Sequence, residues 1–357
     1  MAKKILTVNS SPRTGAGSAT ELVLNHLVEG MQAAGADVFS VNLREKNIRP
    51  CQGCLTCWTK TPGRCILTDD MRDLLPRLPA SNLLVYATPL YFNTMNAAMS
   101  IFRERLLPLS LPFTQKRGGK RAFSPRHKIP PAAWLSVCAL SELSEFDALS
   151  GYIHNTHHPD TPVVAEIYRT SSEILRHPAF EKTLNDILKA TVLAGEELVR
   201  FMKISPDTMA RIRQPLAAPE ILSVMGNLVF KSCMAEKVTL KEFMEKGMTP
   251  RPDSIEAFMA YAVIRFDTAA AAGRKLVLQF RFSGEIEDAC YFTFDGDRTK
   301  AAAGTSDQYD ILIETPFEIW MDIMTGKADG REMYLDGKYR VEGDLSLMQD
   351  IFVTGKN

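Results

Sequence analysis

Strand-like and helix-like segments alternate along the first 205 residues, and this alternation constrains the fold more than any other feature of the sequence. Apolar, β-branched runs that are typical of strands lie at 5–8, 37–43, 82–87 and 132–137. Segments with helical apolar spacing lie between or after them, at 19–34, 69–78, 96–107 and 178–202. Strands that alternate with helices favour a parallel sheet covered on both faces. The pattern therefore predicts a doubly wound α/β domain over residues 1–205.

The composition of the chain changes after Ser205. Residues 206–251 mix Pro, Met and short apolar runs at helical spacing, and we interpret them as a helical linker. Beyond them the pattern predicts helices at 254–272, at 316–325 and after Asp344. Strands are predicted at 275–283, 289–295, 300–303 and 309–315. Helices that flank a run of strands indicate a second, smaller α+β domain, at 252–357.

The overall composition excludes several classes of protein. Hydrophobic residues make up 45% of the chain and charged residues 24%, which excludes intrinsic disorder. The 42 Lys and Arg balance the 42 Asp and Glu, so net charge gives no argument for binding to nucleic acid or to an anionic membrane. No apolar run approaches the roughly 20 residues that cross a bilayer, and no transmembrane segment is predicted. Because a strand follows Met1 directly and the cysteines cluster, we expect a cytoplasmic protein.

The segment 9–20 joins the first strand to the first helix. It reads Asn-Ser-Ser-Pro-Arg-Thr-Gly-Ala-Gly-Ser-Ala-Thr. Hydroxyls, small residues and Arg13 thus lie where a helix N-terminus offers unpaired N–H groups, an arrangement that suits a phosphate. The segment contains neither the G-x-G-x-x-G fingerprint nor the Walker A pattern. The alternative is that Ser18 merely caps the helix.

A second candidate segment, 87–95, follows the strand at 82–87, which we count as the fourth. Ligands of open α/β sheets bind beyond the carboxyl ends of the strands. Tyr91 and Phe92 could flank a planar ring at this position, and the backbone of the loop could hydrogen-bond to the polar edge of that ring. The alternative is that both aromatic side chains pack in the core.

Together these two segments resemble the flavodoxin-like NADPH-dependent FMN reductase family, over residues 4–205. The resemblance implies bound FMN, with NAD(P)H as co-substrate, in a homodimer or homotetramer. The residues implied to hold the FMN phosphate are Ser11, Arg13, Ser18 and Thr20. The residues implied to cradle the isoalloxazine are Pro89, Leu90, Tyr91, Phe92 and Asn93. A third family contact would fall at Cys138 to Leu143, where Ala139-Leu140-Ser141 replaces a sequence that often contains Gly.

Four of the seven cysteines lie within fifteen residues, in the pattern C-x2-C-x2-C-x7-C. They are Cys51, Cys54, Cys57 and Cys65. The first three repeat the spacing of bacterial ferredoxins, and the pattern resembles the iron-sulfur flavoproteins, a branch of the same reductase family. That resemblance implies a 4Fe-4S cluster that relays electrons to or from FMN. Two alternatives stay open: a tetrahedral zinc site, and a set of redox-active or incidental thiols.

The other three cysteines and three of the histidines are weaker candidates for metal ligands. Cys138, Cys233 and Cys290 lie among apolar neighbours, and we interpret them as buried thiols. Three histidines, at 154, 157 and 158, fall in the segment 151–159, which we interpret as a polar loop near the mouth of the flavin site rather than as a metal site.

The C-terminal region from about Ser254 to Val353 resembles the sterol carrier protein type 2 family. The similarity rests on the stretch 310–326 and on the V-E-G-D-L sequence at 341–345. It implies a five-stranded sheet with helices on one side that encloses an apolar tunnel for lipid-like molecules. The candidate lining residues are Phe280, Phe282, Phe292, Trp320, Met324, Met333 and Met348. The alternatives are that these residues form a dry core, or that the domain is a dimerisation module.

These motifs predict an FMN-dependent NAD(P)H oxidoreductase that passes electrons to a quinone-like or hydrophobic acceptor and carries a lipid-binding domain. No catalytic side chain is required, because a flavin carries the chemistry. Two alternatives belong to other classes. One is an iron-sulfur flavoprotein electron carrier that accepts electrons from ferredoxin. The other is a non-enzymatic lipid-binding protein.

Overall fold

The chain divides into two compact units, Met1–Leu216 and Ala217–Asn357. A computed structural model describes residues 2–117, 120–157, 161–177, 180–266, 275–295 and 298–343. The segment 206–251, interpreted as a linker, contains helices that fall on both sides of this division.

The first unit is built on a parallel five-stranded sheet in the order β2-β1-β3-β7-β8, with the short β4 paired to β3. This is the doubly wound order in which the second strand of the chain lies at one edge, so the predicted flavodoxin-like fold is confirmed. The strands of this unit are β1 (Lys4–Asn9), β2 (Asp37–Asn42), β3 (Leu83–Tyr91), β4 (Thr94–Met95), β5 (Ser110–Arg117), β6 (Lys120–Pro125), β7 (Ala132–Val137) and β8 (Val163–Arg169).

Helices cover both faces of the sheet because alternate strand residues point to opposite sides. On one face, Ile5 and Val85 pack with α1, α6 and α7; on the other, Leu6 and Tyr86 pack with the remaining helices of the unit. The helices are α1 (Ala19–Ala33), α2 (Met71–Leu74), α3 (Arg77–Ala80), α4 (Ala97–Glu104), α5 (Asp147–Thr156), α6 (Glu181–Phe201) and α7 (Pro206–Arg213).

Two glycines bring the backbones of α1 and α6 into direct contact. A Cβ atom on Gly30 would lie 1.8 Å from the carbonyl oxygen of Val192, and one on Gly195 would lie 2.1 Å from that of Leu27. Real Cβ atoms do not approach backbone this closely, so the distance between the two helices depends on the absence of both side chains. This contact fixes the spacing of α1 and α6 on one face of the sheet.

Several predicted elements of the first unit are wrong. The helix at 69–78 is two short helices, because Pro76 cannot donate the backbone hydrogen bond that would join them. The basic segment 115–128 has the sequence pattern of a loop, but it contains most of the antiparallel pair β5 and β6. The strand at 82–87 is the third of the chain, and it continues to Tyr91.

Two elements of the first unit went unpredicted. The segment 151–159, interpreted as a polar loop, is helical through Thr156, and His158 lies outside the described residues. The strand β8 went unpredicted because it is an edge strand whose first four residues are only half-buried and include Glu166, so its apolar pattern is weak.

The second unit contains a five-stranded sheet in the order β11-β10-β9-β12-β13. Its neighbours are antiparallel except for the parallel pair β9 and β12. The strands are β9 (Leu276–Ser283), β10 (Asp288–Asp295), β11 (Arg298–Ala303), β12 (Ile311–Pro316) and β13 (Arg340–Gly343). The helices are α8 (Pro219–Glu236), α9 (Leu240–Glu245), α10 (Ile255–Arg265), α11 (Phe317–Met324) and α12 (Gly330–Leu335).

Helices α10 and α11 pack on the same face of this sheet. Alternate residues of β9 point to that face, where Phe280 and Phe282 contact Phe258 of α10, and Trp320 of α11 contacts Phe280. The helix α12 was not predicted, and the helix predicted after Asp344 lies outside the described residues. No helix among the residues that the structure describes is long and apolar enough to cross a membrane.

A buried tryptophan links α5 to the sheet of the first unit. Trp134 of β7 is fully buried, and its indole Nε1 donates a hydrogen bond to Nε2 of His157 at 3.2 Å. His157 therefore accepts with an unprotonated Nε2. Burial, followed by the positive charge of Arg103, lowers the pKa of His157 to about 4.

We predict that acidification destabilises the first unit through His157. The unfolded chain binds a proton near pH 6.5, whereas the folded one does so only near pH 4, so stability is lost as pH falls between these values. The loss is on the order of 2 kcal/mol for a partly exposed imidazole. Urea unfolding at several pH values measures it.

The control for this prediction is His157→Gln, which keeps an acceptor for Trp134 but does not titrate. The variant should lose less stability than the wild-type protein between pH 6.5 and 4. Identical pH profiles for the two proteins would contradict the assignment.

Candidate functional site

The segment after β1 is tied to the end of β3, its neighbour in the sheet. The N–H of Ser10 donates to the carbonyl oxygen of Ala87 at 2.9 Å, and Nδ2 of Asn96 donates to the carbonyl oxygen of Ser10 at 2.7 Å. The two predicted segments, 9–20 and 87–95, therefore lie side by side at the carboxyl ends of parallel strands, where ligands of such sheets bind.

Three of the predicted phosphate residues meet at the N-terminus of α1. The hydroxyl oxygens of Ser11 and Ser18 are 2.8 Å apart, and Ser18 also caps the helix by accepting the N–H of Glu21 at 3.1 Å. Both serines and Thr20 are buried. Buried hydroxyls beside the amino end of a fifteen-residue helix form an anion-binding arrangement, since unpaired N–H groups and the helix dipole favour negative charge there.

Arg13, the fourth predicted phosphate residue, is already paired with a carboxylate. Its guanidinium contacts Glu173, with Nη1 to Oε1 at 2.9 Å, and its side chain is 56% exposed. A second cation, Arg176, lies at the same turn, because its Nη2 is 3.4 Å from the carbonyl oxygens of Gly15 and Ser18. Burial lowers the pKa of Arg176. Sequence reasoning missed both Glu173 and Arg176, because they follow β8, the strand that was not predicted.

The predicted isoalloxazine residues form a hairpin rather than a loop. Pro89, Leu90 and Tyr91 belong to β3, and Tyr91 pairs with Thr94 of β4. Phe92 and Asn93 make the two-residue turn, with φ of 48° and 58°, the left-handed region that such hairpins require. The Phe92 side chain is fully exposed, so the tip of the hairpin presents an aromatic ring to solvent.

The segment after β7, predicted as a third contact, borders the hairpin. Nδ2 of Asn93 donates to Oε2 of Glu145 at 3.1 Å, and the N–H of Ser171 donates to the carbonyl oxygen of Leu140 at 2.7 Å. Leu140 and Leu143 are exposed. Burial raises the pKa of the Cys138 thiol to about 12, so this thiol is neutral at ordinary pH.

One buried hydroxyl at this edge is unsatisfied. Ser171 is 2% exposed with φ of 57°, and among the described residues its Oγ has no hydrogen-bond partner. A buried polar atom without a partner is costly, and a bound polar ligand would relieve that cost. Together with the hydroxyls at α1, it makes the chemistry of this edge fit a phosphate-bearing, hydrogen-bonding cofactor such as FMN.

The four clustered cysteines share one small cavity beside α4. All four are free thiols and line a cavity of about 20 Å³ together with Arg105. Cys57 is buried, Cys54 is exposed, and the other two are half-buried. Hydrogen bonds from the side chain and backbone of Thr56 lower the pKa of Cys54, whereas burial, followed by the nearby Cys65, raises the pKa of Cys57.

A buried ion pair lies behind this cavity. Arg105 and Asp69 are 1% and 0% exposed, and the guanidinium nitrogens lie 2.6 and 3.0 Å from the two carboxylate oxygens. Burial opposes the charge on Asp69, but hydrogen bonds from Arg105 and from the backbone of Arg49 hold its pKa below the ordinary value. Burial likewise opposes the charge on Arg105, and bonds to Asp69 and Cys65 keep its pKa raised.

The four thiols are the type of ligand that a thiolate-bound metal needs, but their present positions do not form a metal site. Four thiols on one cavity are the ligands that iron-sulfur clusters and structural zinc use. Within the described part of the chain, however, no three His, Cys, Asp or Glu side chains are placed to hold a metal ion. Metal binding would thus require the thiols to reorient toward a common centre.

The residues predicted to line a lipid tunnel form a packed core in the second unit. The rings of Phe280, Phe282, Phe292 and Trp320 are buried and contact Phe258 or one another at centroid distances of 5.1 to 6.0 Å. Met324 and Met333 pack at the margin of this cluster, and Met348 lies outside the described residues. A cavity of about 310 Å³ in this unit lies elsewhere, between α8, α9 and the end of α11.

Comparisons with known families agree with the motifs in both units. Residues 3–123 match the family model described as NADPH-dependent FMN reductase, and residues 266–353 match the SCP-2 sterol transfer family. These matches confirm the two family resemblances drawn from the sequence.

Individual relatives match less than a third of the chain. An iron-sulfur flavoprotein of Methanocaldococcus jannaschii is 26% identical over 110 residues, which are 31% of this chain and 55% of that protein. One from Archaeoglobus fulgidus is 32% identical over 105 residues, 29% of this chain and 46% of that protein. The chain thus spans about half the length of these relatives.

Solved structures similar to this chain cover a little over half of it. An NAD(P)H:quinone oxidoreductase from Methanothermobacter marburgensis is 15% identical, with a TM-score of 0.43, over 56% of this chain and 96% of its own. An FMN-dependent NADH-azoreductase from Bacillus anthracis is 12% identical, with a TM-score of 0.44, over 56% of this chain and 100% of its own.

Replacement of Phe92 by Asn should stabilise the protein and weaken flavin binding. A non-glycine residue in the left-handed region costs about 1 kcal/mol, Asn tolerates that region, and the exposed ring loses no packing. The free energy of unfolding without flavin should therefore rise, while the dissociation constant of FMN increases. An unchanged dissociation constant would remove Phe92 from the site.

Replacement of Asp69 by Asn should destabilise the first unit by about 3–5 kcal/mol, because it leaves the buried Arg105 without a counter-charge. The matched control is Asp186→Asn, which breaks an ion pair with Arg211 whose side chains are 43% and 42% exposed. That control should cost at most about 1 kcal/mol. Equal losses in urea unfolding would contradict the assignment.

Proposed function

We propose that the chain is an FMN-dependent oxidoreductase of the cytoplasm that takes electrons from NAD(P)H and passes them to a quinone-like or hydrophobic acceptor. The observation that carries the proposal is the cluster of buried hydroxyls of Ser11, Ser18 and Thr20 at the N-terminus of α1, next to the aromatic hairpin of β3 and β4. The family match over residues 3–123 supports the same cofactor.

The phosphate of FMN would be held by hydroxyls and by cations that the loop already positions. Ser11, Ser18 and Thr20 would donate hydrogen bonds, and the amides at the start of α1 would add their own. Arg13 would exchange its bond to Glu173 for the phosphate, a stronger partner because it carries more charge. Arg176 would supply a second positive charge from the other side of the turn.

The isoalloxazine would lie along the hairpin. Pro89 and Leu90 of the sheet and Tyr91 and Phe92 beside them would contact it, and Asn93 holds the turn through its bond to Glu145. The redox chemistry, which is acceptance of a hydride from a nicotinamide, would be supplied by bound flavin. The protein would orient the rings and keep water away from them, and the exposed Phe92 would contribute to the second.

The cysteines would hold a 4Fe-4S cluster through Cys51, Cys54, Cys57 and Cys65, and such a cluster supplies one-electron transfer. The shared cavity and the name of the archaeal relatives support this assignment. A zinc site and a set of redox-active thiols remain the alternatives. If the cluster is present and NAD(P)H does not reduce the flavin, the function becomes that of an electron carrier fed by ferredoxin.

The second unit would act as a lipid-binding accessory, in line with its family match over residues 266–353. The packed aromatic cluster of Phe280, Phe282 and Trp320 would have to open for a tunnel to form. We further propose a homodimer or homotetramer, because the exposed Phe92, Leu140 and Leu143 form an apolar surface around the flavin site that a second copy could cover.

The phosphate assignment is tested by two substitutions with opposite effects. Arg13→Ala removes a charge-assisted bond, typically about 1.5–3 kcal/mol, and should weaken FMN binding at least about tenfold. Glu173→Gln frees Arg13 from its partner and should tighten binding. Fluorescence titration with FMN measures both. The control is Arg200→Ala, which removes an exposed arginine of α6 that pairs with Glu196. Unchanged flavin content in Arg13→Ala would refute the assignment.

An anaerobic absorption spectrum, with iron and acid-labile sulfide assays before and after NADPH, tests the redox assignment. Flavin bands that NADPH bleaches support the oxidoreductase. A broad shoulder with about four irons per chain supports the cluster. Flavin without iron would mean that the cysteines are free thiols or zinc ligands. A protein without flavin would leave lipid binding as the function.

A further inference from the structure

The hairpin of β5 and β6 places like charges opposite each other. The register sets Lys116 opposite Arg121. Like charges directly across a strand pair destabilise it, and a two-stranded hairpin is only marginally stable to begin with. Folding therefore gives no reason for this arrangement, whereas a bound anionic surface would.

The positive charge extends beyond the hairpin. Residues 106–141 contain six Lys and Arg and no Asp or Glu, in a chain whose net charge is zero. Lys116, Arg121 and Lys128 are exposed. Because salt screens charges beyond about 8–10 Å, a partner meets the local charge and not the net charge of the chain. The neutrality of the whole sequence thus conceals a strongly basic surface.

Aromatic side chains accompany the cations. Phe113 of β5 is 67% exposed and Phe123 of β6 is 44% exposed. The hairpin is held at its base, where the ring of Phe123 lies 4.8 Å from that of Trp58 and the N–H of Arg126 donates to the carbonyl oxygen of Leu109 at 2.8 Å. The basic and aromatic side chains are therefore presented on a paired, anchored backbone.

We infer that the β5–β6 hairpin binds the surface of an anionic lipid bilayer. Lys116 and Arg121 would contact headgroup phosphates, while Phe113 enters the boundary with the acyl chains. A protein partner would select mixed charges that fix its orientation, but the segment 106–141 contributes cations and no carboxylate. Binding does not depend on the flavin, so it can be tested separately from the redox function. It would bring the protein to hydrophobic acceptors dissolved in the bilayer.

Cosedimentation of the full-length protein with vesicles tests the inference. The wild-type protein should bind an equal mixture of phosphatidylcholine and phosphatidylglycerol, should not bind phosphatidylcholine alone, and should be released by salt. The double variant Lys116→Glu and Arg121→Glu should bind at least about tenfold more weakly, and Lys116→Gln with Arg121→Gln should fall between. Phe113→Ser should weaken binding without changing its dependence on salt.

The matched control is Lys182→Glu with Lys203→Glu, which changes the net charge equally at two other exposed lysines of the first unit. This control should bind like the wild-type protein, and no variant should lose flavin content or thermal stability. Equal losses in the hairpin and control variants would overturn the inference. A wild-type protein that ignores the anionic vesicles would also overturn it, and hairpin-dependent binding to immobilised poly-glutamate would then indicate an acidic protein partner.

Discussion

The side chain of Asn96 holds the two halves of the candidate flavin site together. Its Nδ2 donates to the carbonyl oxygen of Ser10, its Oδ1 accepts the N–H of Met99 at the start of α4, and its own N–H donates to the hydroxyl of Thr88. One buried amide thereby links the turn after β1, the strand β3 and a helix. Because each bond is shielded from water, loss of any one leaves a buried polar group unpaired.

The sequence predicted strands that are buried on both faces better than strands at the edge of a sheet. Strands β1, β3 and β7 are buried on both faces and produce apolar runs, so the alternation with helices was sufficient to predict the doubly wound sheet. Edge strand β8 carries Glu166 and a half-buried start, and its signal was too weak. The hairpin of β5 and β6 has little apolar burial of its own and was mistaken for a loop.

The residues of the candidate flavin site also differ in how well the sequence predicted them. Ser11, Ser18 and Thr20 could be predicted because local chain order alone places them at a helix N-terminus. Glu173 and Arg176 could not, since they reach the same turn through the sheet topology, from residues some 160 positions away. Arg13 shows a further limit of local reasoning, because a motif specifies a residue type but not the carboxylate that competes for it.

The glycine contact between α1 and α6 has a consequence at the opposite end of α1. Gly30 lies twelve residues beyond Ser18, or about 18 Å along the helix axis. A methyl group on Gly30 or Gly195 would push the two helices apart and tilt α1 about its attachment to the sheet. The amides at its first turn would move with it. Helix spacing at Gly30 and Gly195 would therefore set the position of the amides at the candidate anion site, although neither glycine belongs to that site.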